Sequence, residues 1–194
     1  MSLPLPKRDQ KFTYGDYLAW PDEERWELIE GIAYNMTPAP VRCHQKILMA
    51  LSAAFYNYLE DKKCEVYVAP FDVRLPAGDE ADEEIETVVQ PDLVVICDPE
   101  KLDERGCKGA PDLVAEILSP NTSRKDQIEK FSLYERVGVK EYWVVHPTDK
   151  ILMVFKLDEK IRYGRPDVYS EEDSVPVGLF SDDLVIDLKT VFKA

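Results

Sequence analysis

The chain is poor in positive charge: 24 Lys and Arg stand against 38 Asp and Glu in 194 residues, a formal net charge of −14. Nonspecific affinity for nucleic acid depends on cations that neutralise phosphates, so this shortfall excludes a protein that coats DNA or RNA. Long apolar spans and a signal-peptide pattern are also absent, and neither membrane insertion nor export is expected. The four cysteines, Cys43, Cys64, Cys97 and Cys107, include no CxxC pair, which predicts reduced thiols in a cytoplasmic protein. No Pro-, Ser- or Gly-rich linker and no internal repeat interrupts the chain, so a single domain over residues 1–194 is expected. With 45% hydrophobic residues it can bury a core without disulfides or a structural metal.

The charge that is present is uneven. Residues 101–140 hold eight basic and seven acidic side chains, leaving that stretch at +1 and the remainder at −15. Much of the excess falls in Asp79-Glu80-Ala81-Asp82-Glu83-Glu84-Ile85-Glu86, which reads as a solvated loop without chemistry, since crowded like charges favour hydrated chain.

Thr13 and Asp16 stand in capping-box spacing, flanked by Phe12 and Tyr17 as a hydrophobic staple, and predict a short helix that ends by Pro21. Arg25 to Glu30 and Ile32 to Met36 alternate around Gly31 as a hairpin. From Val41 to Asp61 the positions Ile47, Leu48, Leu51, Ala54, Phe55, Tyr58 and Leu59 follow helical spacing. Cys64 to Ala69 and Phe71 to Leu75 read as strands, to be joined with later ones in one sheet of three to five strands. A second long helix is predicted from Ser123 to Val137, with Ser123 and Asp126 as its cap and Gly138 as its stop. Glu141 to Val145 and Ile151 to Leu157 follow as strands, and the remainder alternates weakly between short strands and polar turns.

Two apolar runs carry acids: Val89-Gln90-Pro91-Asp92-Leu93-Val94-Val95-Ile96 and Asp112-Leu113-Val114-Ala115-Glu116-Ile117-Leu118. Each reads as a buried strand, where an unpaired charge is costly, so Asp92 and Glu116 converging suggest a divalent metal. Magnesium favours oxygen donors and keeps several waters, and Asp92, Glu116 and the carbonyl of Ile117 suit it better than a His/Cys site would. Asp126 and Lys130, four residues apart, share a helix face, and the Lys130 ammonium can orient water or stabilise transition-state charge. Glu27 on the first hairpin is a secondary candidate, an exposed strand glutamate being the commoner outcome. His44 is expected as a hydrogen-bonded, partly buried histidine rather than a base, and His146 as structural. Asn121 to Lys125 offer hydroxyl, amide and charged groups to a phosphate, or form a plain loop and cap.

The ordered set Trp26-Glu27-Leu28-Ile29-Glu30-Gly31, His44, Gln90-Pro91-Asp92-Leu93-Val94-Val95, Pro111 to Thr122, Asp126 with Lys130 and Tyr134, and Gly138-Val139-Lys140-Glu141-Tyr142-Trp143 resembles the Uma-two family of restriction-endonuclease-like proteins within the PD-(D/E)xK nuclease superfamily. That resemblance implies an α/β (α+β) restriction-endonuclease-like fold, a mixed central sheet flanked by helices, with Asp92 and Glu116 holding the metal. Leu118 stands where the superfamily's usual ExK has lysine, and Lys130 fits the displaced position this family uses. His146-Pro147 departs from an expected Asp-Pro, outside the metal site.

The expected function is an endonuclease dependent on Mg (or Mn) and acting on nucleic acid, DNA first, with Asp92, Glu116, Lys130, Glu27 and Asp126 as its catalytic group. Paired cuts would suit a homodimer, formed through an apolar edge near Tyr142-Trp143-Val144 or along the long helix. Two alternatives are a catalytically inactive oligomeric binding module on the same fold, whose acidic surface meets a basic protein, and a hydrolase of small phosphoesters.

Overall fold

In the computed structural model, which describes residues 10–21, 25–36, 41–119 and 124–193, short strands are interspersed with helices. From the N-terminus, α1 (Tyr14–Tyr17), β1 (Trp26–Ile29) and β2 (Ile32–Asn35) lead to α2 (Arg42–Leu59). Then come β3 (Glu65–Val68), β4 (Val73–Arg74), β5 (Val88–Val89), β6 (Leu93–Ile96), β7 (Leu102–Asp103), β8 (Gly106–Lys108) and β9 (Leu113–Ile117). After α3 (Arg124–Val137) follow β10 (Glu141–His146), β11 (Ile151–Lys156), β12 (Asp167–Ser170), β13 (Ser174–Pro176), β14 (Val185–Asp187) and α4 (Leu188–Val191).

One six-stranded sheet has the order β12-β11-β10-β9-β6-β3, with β9 and β10 parallel and the other neighbours antiparallel. A second has the order β2-β1-β5-β4-β8-β7, and β13 pairs with β14. The mixed α+β class agrees with expectation, but the single sheet of three to five strands does not. Strands as short as β4 and β5 are too brief to show alternation in sequence.

Alternation along the strands divides the core. Leu93, Val95, Leu113, Ala115, Ile117, Trp143 and Val145 pack with Ile47, Leu51 and Phe55 of α2 and with Leu188 and Val191 of α4. Val94, Ile96, Val114, Tyr142 and Val144 pack on the other side with Leu133 and Tyr134 of α3. Side chains two apart share a face, so Asp92 and Glu116, in phase with Val94 and Val114, belong to the α3 side. Burying a side chain such as Phe55 or Leu51 contributes about 1.5–3 kcal/mol, which clamps the helices to these faces.

Local signals place the elements as predicted in several places. The Thr13 amide donates to Asp16 Oδ2 at 3.0 Å at the head of α1, and α3 stops at Gly138, whose φ is +88°. Ser123 lies outside the described residues. The C-terminal segment, expected as short strands and polar turns, contains the short strands β12, β13 and β14 and adds the unexpected helix α4, with Leu188, Val191 and Phe192 buried.

Three further expectations are corrected. The acidic run is not merely solvated: Asp82 pairs with the fully buried Arg74 and with Lys108, Glu80 accepts from the amides of Ala77 and Gly78, and Ile85 is completely buried. The β3/β6 register sets Glu65 against Ile96, which brings Cys64 opposite Cys97, and the two form a disulfide; their separation of 33 residues hides this in sequence. Cys43 and Cys107 are free. Tyr142, Trp143 and Val144 form no exposed edge, because β10 is an interior strand and all three are buried. Among the described residues no helix is long and apolar enough to cross a membrane.

Candidate active site

The antiparallel register of β6 and β9 pairs Leu93 with Ala115 and Val94 with Val114, so one step further sets Asp92 opposite Glu116. Asp92 follows Pro91 at the start of β6, where its side chain can reach across the ladder. Its Oδ2 accepts from the amide of Ile117 at 2.7 Å and lies 3.1 Å from Nε2 of His44, which comes from the first turn of α2. The apolar stripe of α2 turns His44 inward, and with a proton on Nε2 it donates to the carboxylate.

Lys130 reaches the same place from α3. Its Nζ donates to Glu27 Oε1 and to Glu116 Oε1, each at 2.9 Å. Helical spacing puts Tyr134 one turn later on that face, and its hydroxyl donates to Glu116 Oε1 at 2.8 Å. Glu27 arrives from β1 and its Oε1 also accepts from the Gln90 amide at 2.9 Å. The side chains of Lys130, Glu27 and Glu116 are only 14%, 8% and 13% exposed. At such burial these contacts form a low-dielectric network rather than surface pairs.

Glu27 and Glu116 share the Lys130 ammonium with Asp92 close by, and the imbalance shows in the ionisation of Glu116. Burial, reinforced by the like charges of Asp92 and Glu27, outweighs the attraction of Lys130 and pushes the Glu116 carboxyl up to about 7. Burial opposes the charge on Lys130, but Glu116 and Glu27 more than offset it and hold the amine above its ordinary value. Burial and the neighbouring Glu116 also keep the Tyr134 phenol protonated well above its usual range. The lysine therefore remains charged, and Glu116 holds a proton more readily than an ordinary carboxylate.

The donor chemistry fits a hard divalent ion. Both contacts to Asp92 fall on Oδ2 and those to Glu116 on Oε1, so among the described residues Oδ1 and Oε2 accept no hydrogen bond. Among the described residues there is no cluster of three His, Cys, Asp or Glu able to hold a metal. Two carboxylates supplemented by a carbonyl and waters are the kind of set that magnesium accepts, whereas zinc sites are usually built with His or Cys.

Of the residues singled out in the sequence, Asp92, Glu116, Lys130 and Glu27 come together. Glu27 departs from the common exposed-glutamate outcome, being 6% exposed, because the Lys130 ammonium and the Gln90 amide satisfy it. Ile117 is at the site through its amide as the donor to Asp92. The side chain of Asp126 and residues 120–123 lie outside what is described. His44 is hydrogen-bonded and buried, as expected, but its partner is the candidate ligand Asp92. Tyr134 and Gln90 went unassigned: the spacing of Tyr134 from Lys130 was a usable signal, whereas nothing local marks a backbone amide such as that of Gln90.

Known proteins resemble the chain in sequence and in fold. An uncharacterised Synechocystis protein, slr1290, is 30% identical over 135 residues, which are 69% of this chain and 65% of that protein. A crystal structure from Anabaena variabilis, titled a "putative nuclease belonging to DUF820", superposes with a TM-score of 0.74 at 20% identity, covering 94% of this chain and 98% of that one. The two share a fold. Residues 14–189 match the model of a family described as "Putative restriction endonuclease", and the chain accordingly belongs to that family, Uma2.

Proposed function

We propose that the protein is a Mg- or Mn-dependent endonuclease that hydrolyses phosphodiester bonds, with DNA as its first substrate. The observation that carries this reading is Lys130 Nζ held 2.9 Å from Glu116 Oε1, on the sheet face that also receives Asp92. Asp92, Glu116 and the Ile117 carbonyl would hold the ion. Polarisation of a phosphodiester oxygen and acidification of water are the chemistry such an ion supplies when bound.

The chain's own groups have distinct tasks. An ammonium has three donors, and among the described residues Lys130 spends two, on Glu27 and Glu116, so the third is assigned to the attacking water or to a phosphoryl oxygen. Glu27 and Tyr134 fix that ammonium and the Glu116 carboxylate in place. His44 orients Asp92. Asp126 lies on the Lys130 side of α3 by spacing and is assigned a supporting part. A homodimer that brings two sites to two strands completes the reading; the cytoplasmic location expected from reduced thiols loses that support with the Cys64–Cys97 disulfide. The exposed Met49 and Tyr56, two turns apart on α2, support a contact between copies through that helix.

The test is cleavage of linear and supercoiled DNA and of RNA by purified protein with Mg or Mn, against Asp92→Asn, Glu116→Gln and Lys130→Met. Loss of cutting in all three variants is expected. Equal cutting by all four proteins rejects the assignment.

The competing reading, an inactive oligomeric binding module, draws on the net charge of −14 and on Lys130 already neutralising part of the acidic site. Calorimetric titration with Mn separates the two. A module without a metal site gives no heat of binding that depends on Asp92 or Glu116.

A further inference from the structure

Beside the acidic site lies a cleft of about 600 Å³ whose walls include Tyr17, Trp20, Trp26 and Phe71. Trp20 meets Tyr17 at 5.8 Å and Trp26 at 5.4 Å between ring centroids, while Phe71 stacks on Tyr67 at 4.4 Å. These rings are therefore braced rather than loose. The polar part of the lining is equally ordered. Gln90 Oε1 accepts from Nε and Nη2 of Arg25 at 3.1 and 2.7 Å, and Gln90 Nε2 donates to Asp72 Oδ1 and to the Tyr17 hydroxyl. The Tyr17 hydroxyl also donates to Asp72 Oδ1, at 3.0 Å.

We propose that this cleft receives one unpaired nucleobase of the substrate strand, stacked on its aromatic wall and read at its edge by Asp72 and Arg25. The proposal deepens the nuclease reading by naming the state of the substrate, and it rests on that reading for the identity of the polymer. Three observations support it. First, a chain of charge −14 has little nonspecific phosphate attraction, so affinity must come from another source, and base stacking on aromatic rings is insensitive to net charge.

Second, the network leaves complementary groups for a planar heterocycle. Among the described residues, Asp72 Oδ2 and the Nη1 of Arg25 have no hydrogen-bond partner, giving one acceptor and one donor in the lining. Arg105, also in the lining and half exposed, is held among the described residues only by a loose surface pair with Glu83 at 3.5 Å, which a flanking phosphate can replace. The lining also holds Asp72, Asp103 and Glu104 beside Arg25 and Arg105, so a cationic guest such as a methylated lysine is the competing occupant that the test must separate.

Third, Gln90 belongs to both places. Its side chain lines the cleft and organises Asp72 and Arg25, while its amide donates to Glu27 Oε1 beside Lys130. Asp92 is two residues further along the same segment. A base lodged here would be registered against the acidic site by one short stretch of backbone.

Anisotropy of end-labelled single-stranded oligonucleotides, DNA and RNA in separate arms, tests this with the full chain carrying Asp92→Asn in EDTA, so that nothing is cut. Trp20→Leu and Phe71→Leu, each confirmed as folded by thermal unfolding, should weaken binding about tenfold or more, as loss of a stacking partner does. An oligonucleotide of abasic sites should bind as weakly to the parent as the normal one binds to the variants. Unchanged affinity in both variants, equal binding of the abasic strand, or displacement by a quaternary ammonium but not by nucleotides overturns the proposal. Binding that follows this pattern in a protein that never cleaves would retain the cleft and remove the nuclease, whereas cleavage without it would do the reverse.

Discussion

The ammonium of Lys130 lies 2.9 Å from Oε1 of Glu116, fourteen residues before it in the chain. A strand residue two positions after Glu116 would be the usual source of that charge, but Leu118 is there and packs partly buried with the apolar cluster on the α3 side. The helix restores what the strand omits, and the expected outcomes below follow from that replacement.

Lys130→Met removes the cation shared by Glu27 and Glu116 while keeping much of its apolar stem. Breaking a buried pair of this kind costs about 3–5 kcal/mol, softened here because the Gln90 amide and the Tyr134 hydroxyl remain as donors. Calorimetric unfolding of the metal-free protein should show the loss, and cleavage should fall by roughly 10²-fold or more. Undiminished cleavage would show that Lys130 is structural.

Tyr134→Phe deletes one donor to Glu116 and leaves the ring packing on Tyr142, whose centroid is 5.1 Å away. Stability should drop by about 0.5–1.5 kcal/mol, the net contribution of one hydrogen bond. Denaturant titration measures this; a much larger loss would mean that the hydroxyl holds more than Glu116.

The Glu116 carboxyl, pushed up from 4.5 to about 7 by burial and by Asp92 and Glu27, predicts a pH dependence of definite sign. A group with a raised folded-state pKa contributes stability that is complete below pH 4.5 and is lost as the pH rises through about 7. Glu116→Gln, which does not titrate, should flatten this part of the profile in metal-free buffer. Unfolding midpoints from pH 4 to 8 that fall alike in both proteins would assign the dependence to other groups.

Mn or Mg should raise the unfolding temperature of the parent, and EDTA should reverse it. At a hundredfold excess over its dissociation constant an ion stabilises by about 2.7 kcal/mol, which in a chain of this size is several degrees. Asp92→Asn should abolish the shift. A shift that persists in the variant places the ion elsewhere.

Gly106→Ala probes the second sheet. Gly106 has φ +117°, and a Cβ there would lie 2.3 Å from the carbonyl oxygen of Asp72, a backbone atom that cannot swing aside. A loss of about 1–3 kcal/mol is expected from the overpacking alone. Unfolding indistinguishable from the parent would show that the β4/β8 neighbourhood is more yielding than its hydrogen bonds suggest.

Much of the scaffold was legible before the structure. The 3.6-residue stripe of α2 and the paired signals around α1 and Gly138 are local, and their outcome depends on neighbours within a turn or two. The positions of Asp92 and Glu116 were legible for the same reason: an acid within an apolar strand is conspicuous without knowledge of its partners. Glu27, the disulfide and the burial of Trp143 were not, since each depends on which strands become neighbours. Gln90 is the extreme case, because any residue type but proline carries an amide.

By itself, the sequence determined the periodicities, hence the helices, the longer strands and the two acids on them, because these are properties of residues a few positions apart. Only the tertiary structure decided that β6 and β9 pair in the register that opposes Asp92 to Glu116, that α3 lies over that face, and that Glu27 enters from another sheet. Such contacts span 14 to 103 residues along the chain, and packing of whole faces selects them, not the preferences of the residues that meet.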